Sequence, residues 1–213
     1  MKAILSVIVF GLFISQVQGQ QIIEKNLNFS GKESITLDIQ IADSITINTW
    51  NKNEVYVKAS VSINENKDNE AYETSFDETG RAVSVKAKFR ENYFKGKNNC
   101  CNEADIFWQV YLPEKAKFSV ETINANVTIT GQTTEMSIKS ISGYIDLAIP
   151  ADQQANIDFS TISGMMYSNH KLALDKTHTG IPSRITEKFN NGGAPIRLET
   201  ISGDIFFRKA DVN

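Results

Sequence analysis

Hydrophobic and polar residues alternate along almost the whole chain after residue 26. Runs such as "EVYVKASVSI" and "RAVSVKAKF" place an apolar side chain at every second position. Alternation with a period of two, in short runs broken by Asn, Gly and Asp, is typical of β-strands with one buried face. No stretch of ten residues carries an apolar stripe with helical spacing. The pattern therefore predicts an all-β protein.

From Phe118 onward the alternation becomes a repeat. The four aligned segments read "FSVETINANVTI", "MSIKSISGYIDL", "IDFSTISGMMYS" and "IRLETISGDIFF". Their central isoleucines are Ile123, Ile141, Ile162 and Ile201, spaced by 18, 21 and 39 residues, and the last interval is close to two periods. A period near 20 residues indicates the rungs of a β-solenoid, in which each rung covers the apolar face of the next.

The aligned positions predict which side chains face the interior. We expect Ile145, Phe159, Leu198 and Ile205 to be buried between the rungs. The Ser-Gly pair in three of the segments is interpreted as a corner, where glycine permits a positive φ. A phosphate-binding loop would need a longer glycine-rich stretch followed by lysine, so an architectural role is favoured over a catalytic one.

The chain divides into three parts. Residues 1–19 have the features of a cleaved signal peptide, with Lys2 before an apolar run that is too short for a typical membrane span. An N-terminal anchor is the alternative. Residues 20–112 form a strand-rich N-terminal part. Residues 113–213 form a parallel β-solenoid, a single-stranded β-helix that we expect to be right-handed from the general twist of strands. The protein would be exported to the periplasm, the outer surface or the medium, with no transmembrane segment after cleavage.

Charge and cysteine content narrow the range of partners. The formal net charge is −3, which argues against nucleic acid, because phosphate binding requires a basic surface. The two cysteines, Cys100 and Cys101, are adjacent, and a bridge between neighbours cannot join distant parts of a fold. We interpret them as loop thiols. A disulfide within the pair, or one between molecules, is the alternative.

The titratable residues form no recognisable catalytic motif. Nucleophilic catalysis needs a serine or cysteine with a base and an orienting group. The two histidines, His170 and His178, are expected to be exposed in a loop, and their spacing fits no common zinc motif. The outward acids are scattered over the aligned segments, and they are Glu121, Asp146, Asp158, Glu199 and Asp204. We therefore expect no catalytic residues, no metal and no cofactor. A carbohydrate-active enzyme is the alternative if carboxylates cluster in a cleft.

One group of outward-facing side chains is a candidate binding surface. The two columns after the corner bring together Tyr144, Met165, Tyr167 and Phe206, and we call these four residues the aromatic patch. An exposed apolar patch marks either a partner surface or packing within the molecule. The second interpretation is favoured, in which the N-terminal strands or a loop cover the patch. The first implies contact with a glycan or a protein.

Several segments resemble a known bacterial family. These are "WNKNEVYVKASV", "FDETGRAVSVKAKF", "VYLPEKAKFSVETINANVTITG" and "NNGGAPIRLETISGDIFFRK". They resemble the DUF4097 family of β-strand-repeat proteins, and the chain is also similar to the adhesin family with the head GIN domain. The resemblance covers nearly all of the chain after the signal peptide.

The resemblance implies a secreted or envelope-facing β-solenoid that is adhesin-like by analogy, and it transfers no catalytic residues. The expected function is non-enzymatic binding of surface or host molecules. A structural or regulatory component of the cell envelope is the alternative.

Overall fold

The protein is an all-β molecule, and the computed structural model describes residues 19–94, 103–172 and 183–210. Strands make up 67% of these residues, and the only helical element among them is one short 3-10 turn, Asn69–Ala71. The strands are β1 (Gln21–Asn28), β2 (Ser34–Ile39), β3 (Ile41–Trp50), β4 (Glu54–Ile63), β5 (Tyr72–Asp77), β6 (Ala82–Phe89), β7 (Ala104–Pro113), β8 (Lys117–Thr130), β9 (Met136–Ser142), β10 (Ile145–Ile149), β11 (Ala155–Ser163), β12 (Met166–Ser168), β13 (Ser183–Phe189), β14 (Ala194–Ser202) and β15 (Ile205–Lys209).

Two layers of mostly parallel strands face each other. Layer 1 has the order β5-β6-β2-β8-β9-β14-β11-β13, and layer 2 has the order β1-β4-β7-β3-β8-β10-β15-β12. The long strand β8 belongs to both layers, since its first half pairs with β2 and β9 and its second half pairs with β3 and β10. Alternate side chains from both layers meet in one hydrophobic core, in which the rings of Phe159 and Phe207 lie 5.3 Å apart.

The predicted register of the repeat is confirmed. Cross-strand neighbours in layer 1 include Val120, Ile138, Leu198 and Phe159, and those in layer 2 include Val127, Ile145, Ile205 and Met166. The four residues expected inside, Ile145, Phe159, Leu198 and Ile205, are all buried. Matching apolar positions therefore stack, as the alignment indicated.

The order of the rungs differs from chain order. The rung formed by β14 and β15 lies between the β9–β10 rung and the β11–β12 rung. The interval of 39 residues before Ile201 is therefore not a missing rung. It contains β13, which pairs antiparallel with β11 on the outer edge of layer 1.

The N-terminal strands continue the same stack. Ile35 and Leu37 of β2 pair with β8 in layer 1, and Ile45 and Ile47 of β3 pair with it in layer 2. These two strands thus form a further rung on the other side of β8, across the predicted boundary at residue 112. Beyond this rung, β4 pairs antiparallel with both β1 and β7.

Each Ser-Gly pair lies at a corner where β-strand backbones come very close. A Cβ atom on Gly143 would overlap the carbonyl of Ala125, one on Gly203 would overlap the carbonyl of Gly143, and one on Gly164 would overlap that of Gly203. Gly143 also has φ of 99°, which disfavours a side chain. The corner is therefore restricted to glycine in these rungs chiefly because of close backbone approach.

The predicted signal sequence up to residue 18 and the pair Cys100 and Cys101 lie outside the described residues. Within them, no helix is both long and apolar enough to cross a membrane.

Candidate functional site

The aromatic patch assembles on the outer face of layer 2. Tyr167 and Phe206 are direct cross-strand neighbours, and their rings stack with centroids 5.2 Å apart. Tyr144 meets Phe206 edge to face at 5.9 Å, and the Tyr167 hydroxyl lies 3.2 Å from the sulfur of Met165. The four side chains predicted from the aligned columns are therefore in contact as a group.

Corner residues position the patch. The backbone N–H of Met165 donates to Oδ1 of Asp204 over 2.8 Å, and the backbone N–H of Tyr144 donates to Oδ1 of Asn126 over 3.3 Å. Each bond links a corner to the equivalent corner of a neighbouring rung. The aspartate of the Ser-Gly-Asp sequence thus accepts a structural hydrogen bond that fixes where the patch begins.

A charged pair borders the patch. Two guanidinium nitrogens of Arg208 donate to Asp146, Nε to Oδ1 over 2.7 Å and Nη2 to Oδ2 over 2.5 Å. Asp146 pairs with Phe206 across the strands, so this bidentate bond lies next to the aromatic rings. The surface therefore combines aromatic carbon with a fixed hydrogen-bonding group.

The patch is open to solvent. Tyr144, Met165 and Tyr167 are 38%, 64% and 47% exposed, and Phe206 is half-buried. The favoured expectation is that the N-terminal strands or a loop cover it. The N-terminal strands do not, because β1 and β4 extend layer 2 at its opposite edge, and the loop after β12 lies mostly outside the described residues. Because β1 and β4 are added at the side of the sheet, they do not cover the outer face of β10, β12 and β15.

A second apolar surface lies on the outer face of layer 1. The central isoleucines of the four segments form a ladder across β8, β9, β14 and β11, each close to half exposed. We call these four residues the isoleucine ladder, and they are Ile123, Ile141, Ile201 and Ile162. The ladder lines a groove of about 590 Å³, which is bordered by Asp38, Glu121, Glu199 and Lys139.

Sequence reasoning did not assign the ladder to the surface, although the signal was present. Val120 and Thr122 are buried and two residues apart, so Ile123 between Thr122 and Asn124 must face outward. The same parity holds in the other three segments. The isoleucine that makes the repeat easy to recognise therefore lies on the outer face and not in the core.

His170 differs from its prediction. It is buried rather than exposed, and its ring lies 4.3 Å from that of Phe207 and 4.8 Å from that of Phe189. Burial lowers the pKa of His170, since the charged imidazolium loses its hydration. It packs at the end of the core, and His178 lies outside the described residues.

The acids remain dispersed. Asp158 bonds to Arg184 over 2.8 and 3.0 Å, and Lys117 lies 2.9 Å from Glu135. That contact with Glu135 raises the pKa of Lys117. Across the described ranges, no group of three or more His, Cys, Asp or Glu side chains is arranged to hold a metal.

Comparison with known proteins supports the resemblance seen in the sequence. Residues 122–207 match the model of the family described as Toastrack DUF4097. The DUF4097 resemblance is confirmed over this range, which is shorter than the extent that the sequence indicated. The matched range begins inside β8 and ends in β15, so it contains the β9–β10, β11–β12 and β14–β15 rungs, both apolar surfaces and the three Ser-Gly corners. No curated protein matches the DUF4097-like chain.

Two solved structures were compared with this DUF4097-like chain. A "putative cell adhesion protein" from Clostridium sporogenes is 11% identical, with a TM-score of 0.60, covering 90% of this chain and 100% of the other. A "putative adhesin" from Bacteroides fragilis is 10% identical, with a TM-score of 0.31, covering 90% and 98%. The first likeness establishes a shared architecture.

Proposed function

We propose that this protein is a non-enzymatic component of the cell envelope or surface that binds other molecules in the manner of an adhesin. The aromatic patch is the proposed contact surface, and its ligand is a glycan or a protein at the surface of a cell. The observation that carries the proposal is the exposure of a stacked aromatic cluster on a rigid sheet. Contiguous exposed apolar patches mark interaction sites, and aromatic residues are enriched among those that carry binding energy.

Three further features support binding through this surface. The bidentate bond between Arg208 and Asp146 supplies oriented polar groups beside the rings, as selective sites require. A sheet holds side chains at fixed spacing, so little ordering is needed on binding. The fold is also that of the Clostridium sporogenes protein named for cell adhesion.

The proposed function includes export and a solenoid architecture. A signal peptide at residues 1–19 would deliver the protein to the periplasm, the outer surface or the medium. The stacked corners and parallel rungs support a β-solenoid, for which we keep the right-handed, single-stranded form as the proposal.

The test is a binding assay with the purified protein on a printed array of bacterial and host glycans, and on immobilised cell-envelope extract. We expect the wild type to bind one of these probes. The double variant Tyr167→Ala with Phe206→Ala should lose most of that binding, because it removes the stacked pair.

Phe107→Ala is the matched control, since Phe107 is an exposed aromatic residue on the same outer face but on β7, away from the patch. This control should bind as the wild type does. Equal loss of binding in both variants, or unchanged binding in the double variant, would contradict a contact surface at the patch. Absence of wild-type binding to every probe would count against the adhesin-like function itself.

A further inference from the structure

The charged residues beside the isoleucine ladder follow a definite order. One row of outward positions crosses six strands of layer 1, from β2 through β8, β9, β14 and β11 to β13. The row reads Asp38, Glu121, Lys139, Glu199, Ser160 and Arg184. One end of the row carries two carboxylates, and the other end carries a guanidinium.

When the row is placed against a reversed copy of itself, residues of opposite charge face each other. A two-fold axis parallel to the strands, placed between β9 and β14, would bring the same face of a second molecule over the first with the strand order inverted. Lys139 would then face Glu199 of the second copy, and Glu199 would face its Lys139. Asp38 would face Arg184 in the same way. Isologous interfaces have this property, in which residue i meets j and j meets i.

The isoleucine ladder obeys the same symmetry. Ile141 would meet Ile201 of the second copy and Ile123 would meet Ile162, so aliphatic side chains face one another along the whole ladder. The neighbouring row of outward residues, two positions earlier along each strand, creates no repulsion between like charges. In that row Ser137 would face Arg197 and Ser119 would face Asp158. Apolar contact and charge pairing therefore select the same arrangement.

The face is also large enough for a stable contact. Strands lie about 4.8 Å apart and outward residues about 6.6 Å apart along a strand, so six strands with four outward rows cover roughly 29 by 26 Å. A standard interface buries about 800 Å² on each partner, which is similar to this face.

We propose that layer 1 is a homodimer interface, in which the isoleucine ladders of two copies pack together and Lys139 of each copy pairs with Glu199 of the other. This proposal is independent of the function assigned to the aromatic patch, which lies on the opposite layer. Dimerisation leaves both patches outward, so one assembly presents two binding surfaces.

The decisive experiment uses charge reversal with two variants, Lys139→Glu and Glu199→Lys. Analytical ultracentrifugation of the wild type should give twice the mass of one chain. Each variant alone should be monomeric, because two like charges then face each other on both sides of the axis. An equimolar mixture of the two variants should form a one-to-one heterodimer, since every facing pair is then opposite in charge. Circular dichroism of each variant checks that the fold is retained.

A second pair of variants tests the apolar contact. Ile141→Thr with Ile201→Thr keeps strand-favouring β-branched residues but removes aliphatic surface, and it should weaken association at least about tenfold. Ile22→Thr is the matched control, because Ile22 is similarly exposed on the edge strand β1 and should leave association unchanged.

The outcomes separate a second copy from other occupants. A monomeric wild type, or a mixture of charge variants that stays monomeric, overturns the proposal. A dimer that persists in both charge variants and in the isoleucine variant places the interface elsewhere and also overturns it. If the isoleucine variant loses binding to envelope extract while the wild type is monomeric, the ladder contacts a different molecule.

Discussion

The backbone of Gly203 lies directly against the carbonyl group of Gly143 on the neighbouring rung. The same contact links Gly143 to Ala125 and Gly164 to Gly203, so backbone stacks on backbone through the whole corner. The repeat is therefore held together at two places, by side chains in the core and by the main chain at the corner.

Gly203→Ala should lower the free energy of unfolding by about 1–3 kcal/mol, because the added methyl group forces neighbouring backbone to move. Gly80→Ala is the control, since Gly80 has open space around its α-carbon and should change stability by less than about 0.5 kcal/mol. Urea denaturation of both variants makes the comparison. Similar stabilities would show that the corner is more tolerant than its geometry indicates.

Leu198→Ala should cost roughly 2–5 kcal/mol, because Leu198 is fully buried and the truncation leaves a cavity between the layers. Ile22→Ala removes a side chain that is 51% exposed at the sheet edge and should cost far less. Thermal unfolding followed by circular dichroism measures both. A small effect at Leu198 would mean that the rungs can move together to fill the space.

Stability should depend on the protonation of His170. Because burial lowers its folded-state pKa, the unfolded chain takes up a proton near its ordinary pKa of about 6.5 while the folded chain does not. The free energy of unfolding should therefore fall as the pH drops below about 6.5, by at most about 1.4 kcal/mol per pH unit, until His170 titrates in the folded state.

His170→Phe keeps a ring against Phe207 and removes the titrating group. Denaturant titrations at about pH 7.5 and pH 5.5 should give a smaller difference in this variant than in the wild type. An equal difference in both proteins would assign the pH dependence to other groups.

Truncating the aromatic patch should have little effect on folding. Tyr167→Ala with Phe206→Ala removes an exposed and a half-buried ring, so the loss should be about 0.5–1.5 kcal/mol for the aromatic pair plus about half of the roughly 1.5–3 kcal/mol of a fully buried Phe side chain. Two buried aromatic residues would cost about 3–5 kcal/mol each. Differential scanning calorimetry distinguishes these cases. A large drop in melting temperature would mean that the patch is part of the packed structure.

Much of the fold could be predicted because equivalent positions of the repeat face the same way, either into the core or out to solvent. Alignment alone predicts that Leu198 and Ile205 face the interior, and their burial follows from alternation within stacked strands. The same alignment groups the four members of the aromatic patch. Their exposure could not be predicted in this way, since it depends on which edge of layer 2 the N-terminal strands extend.

The rung made by β2 and β3 was hidden by one additional residue. Ile35 and Ile45 are ten residues apart, whereas their partners Phe118 and Val127 are nine apart. The pairing of β3 with β8 shifts register between Ile41 and Ser44, which absorbs the difference. A single bulge therefore removes the sequence similarity while preserving the structure.

The alignment could not predict the order in which the rungs are stacked. Each segment contains equivalent residues, so side chains such as Ile157 and Ile196 fit at either position in the stack. The strand β13 lies in the connection between these two segments and pairs antiparallel with β11 at the outer edge of layer 1. Such long-range pairing leaves little trace in local patterns.

The position of β14 also governs when the molecule can fold. β14 is the strand that joins β11 to β9, and it is among the last segments to be synthesised. Until it is available, β9 has only β8 of its two native neighbours, and β11 has only β13 of its two native partners. Parallel pairing between segments distant in sequence is slow, because the entropy cost of closing the loop arises before the stabilising contacts form. Completion of layer 1 is thus tied to completion of the chain, and a polypeptide that stops before Ala194 would lack the native partner that β9 and β11 share.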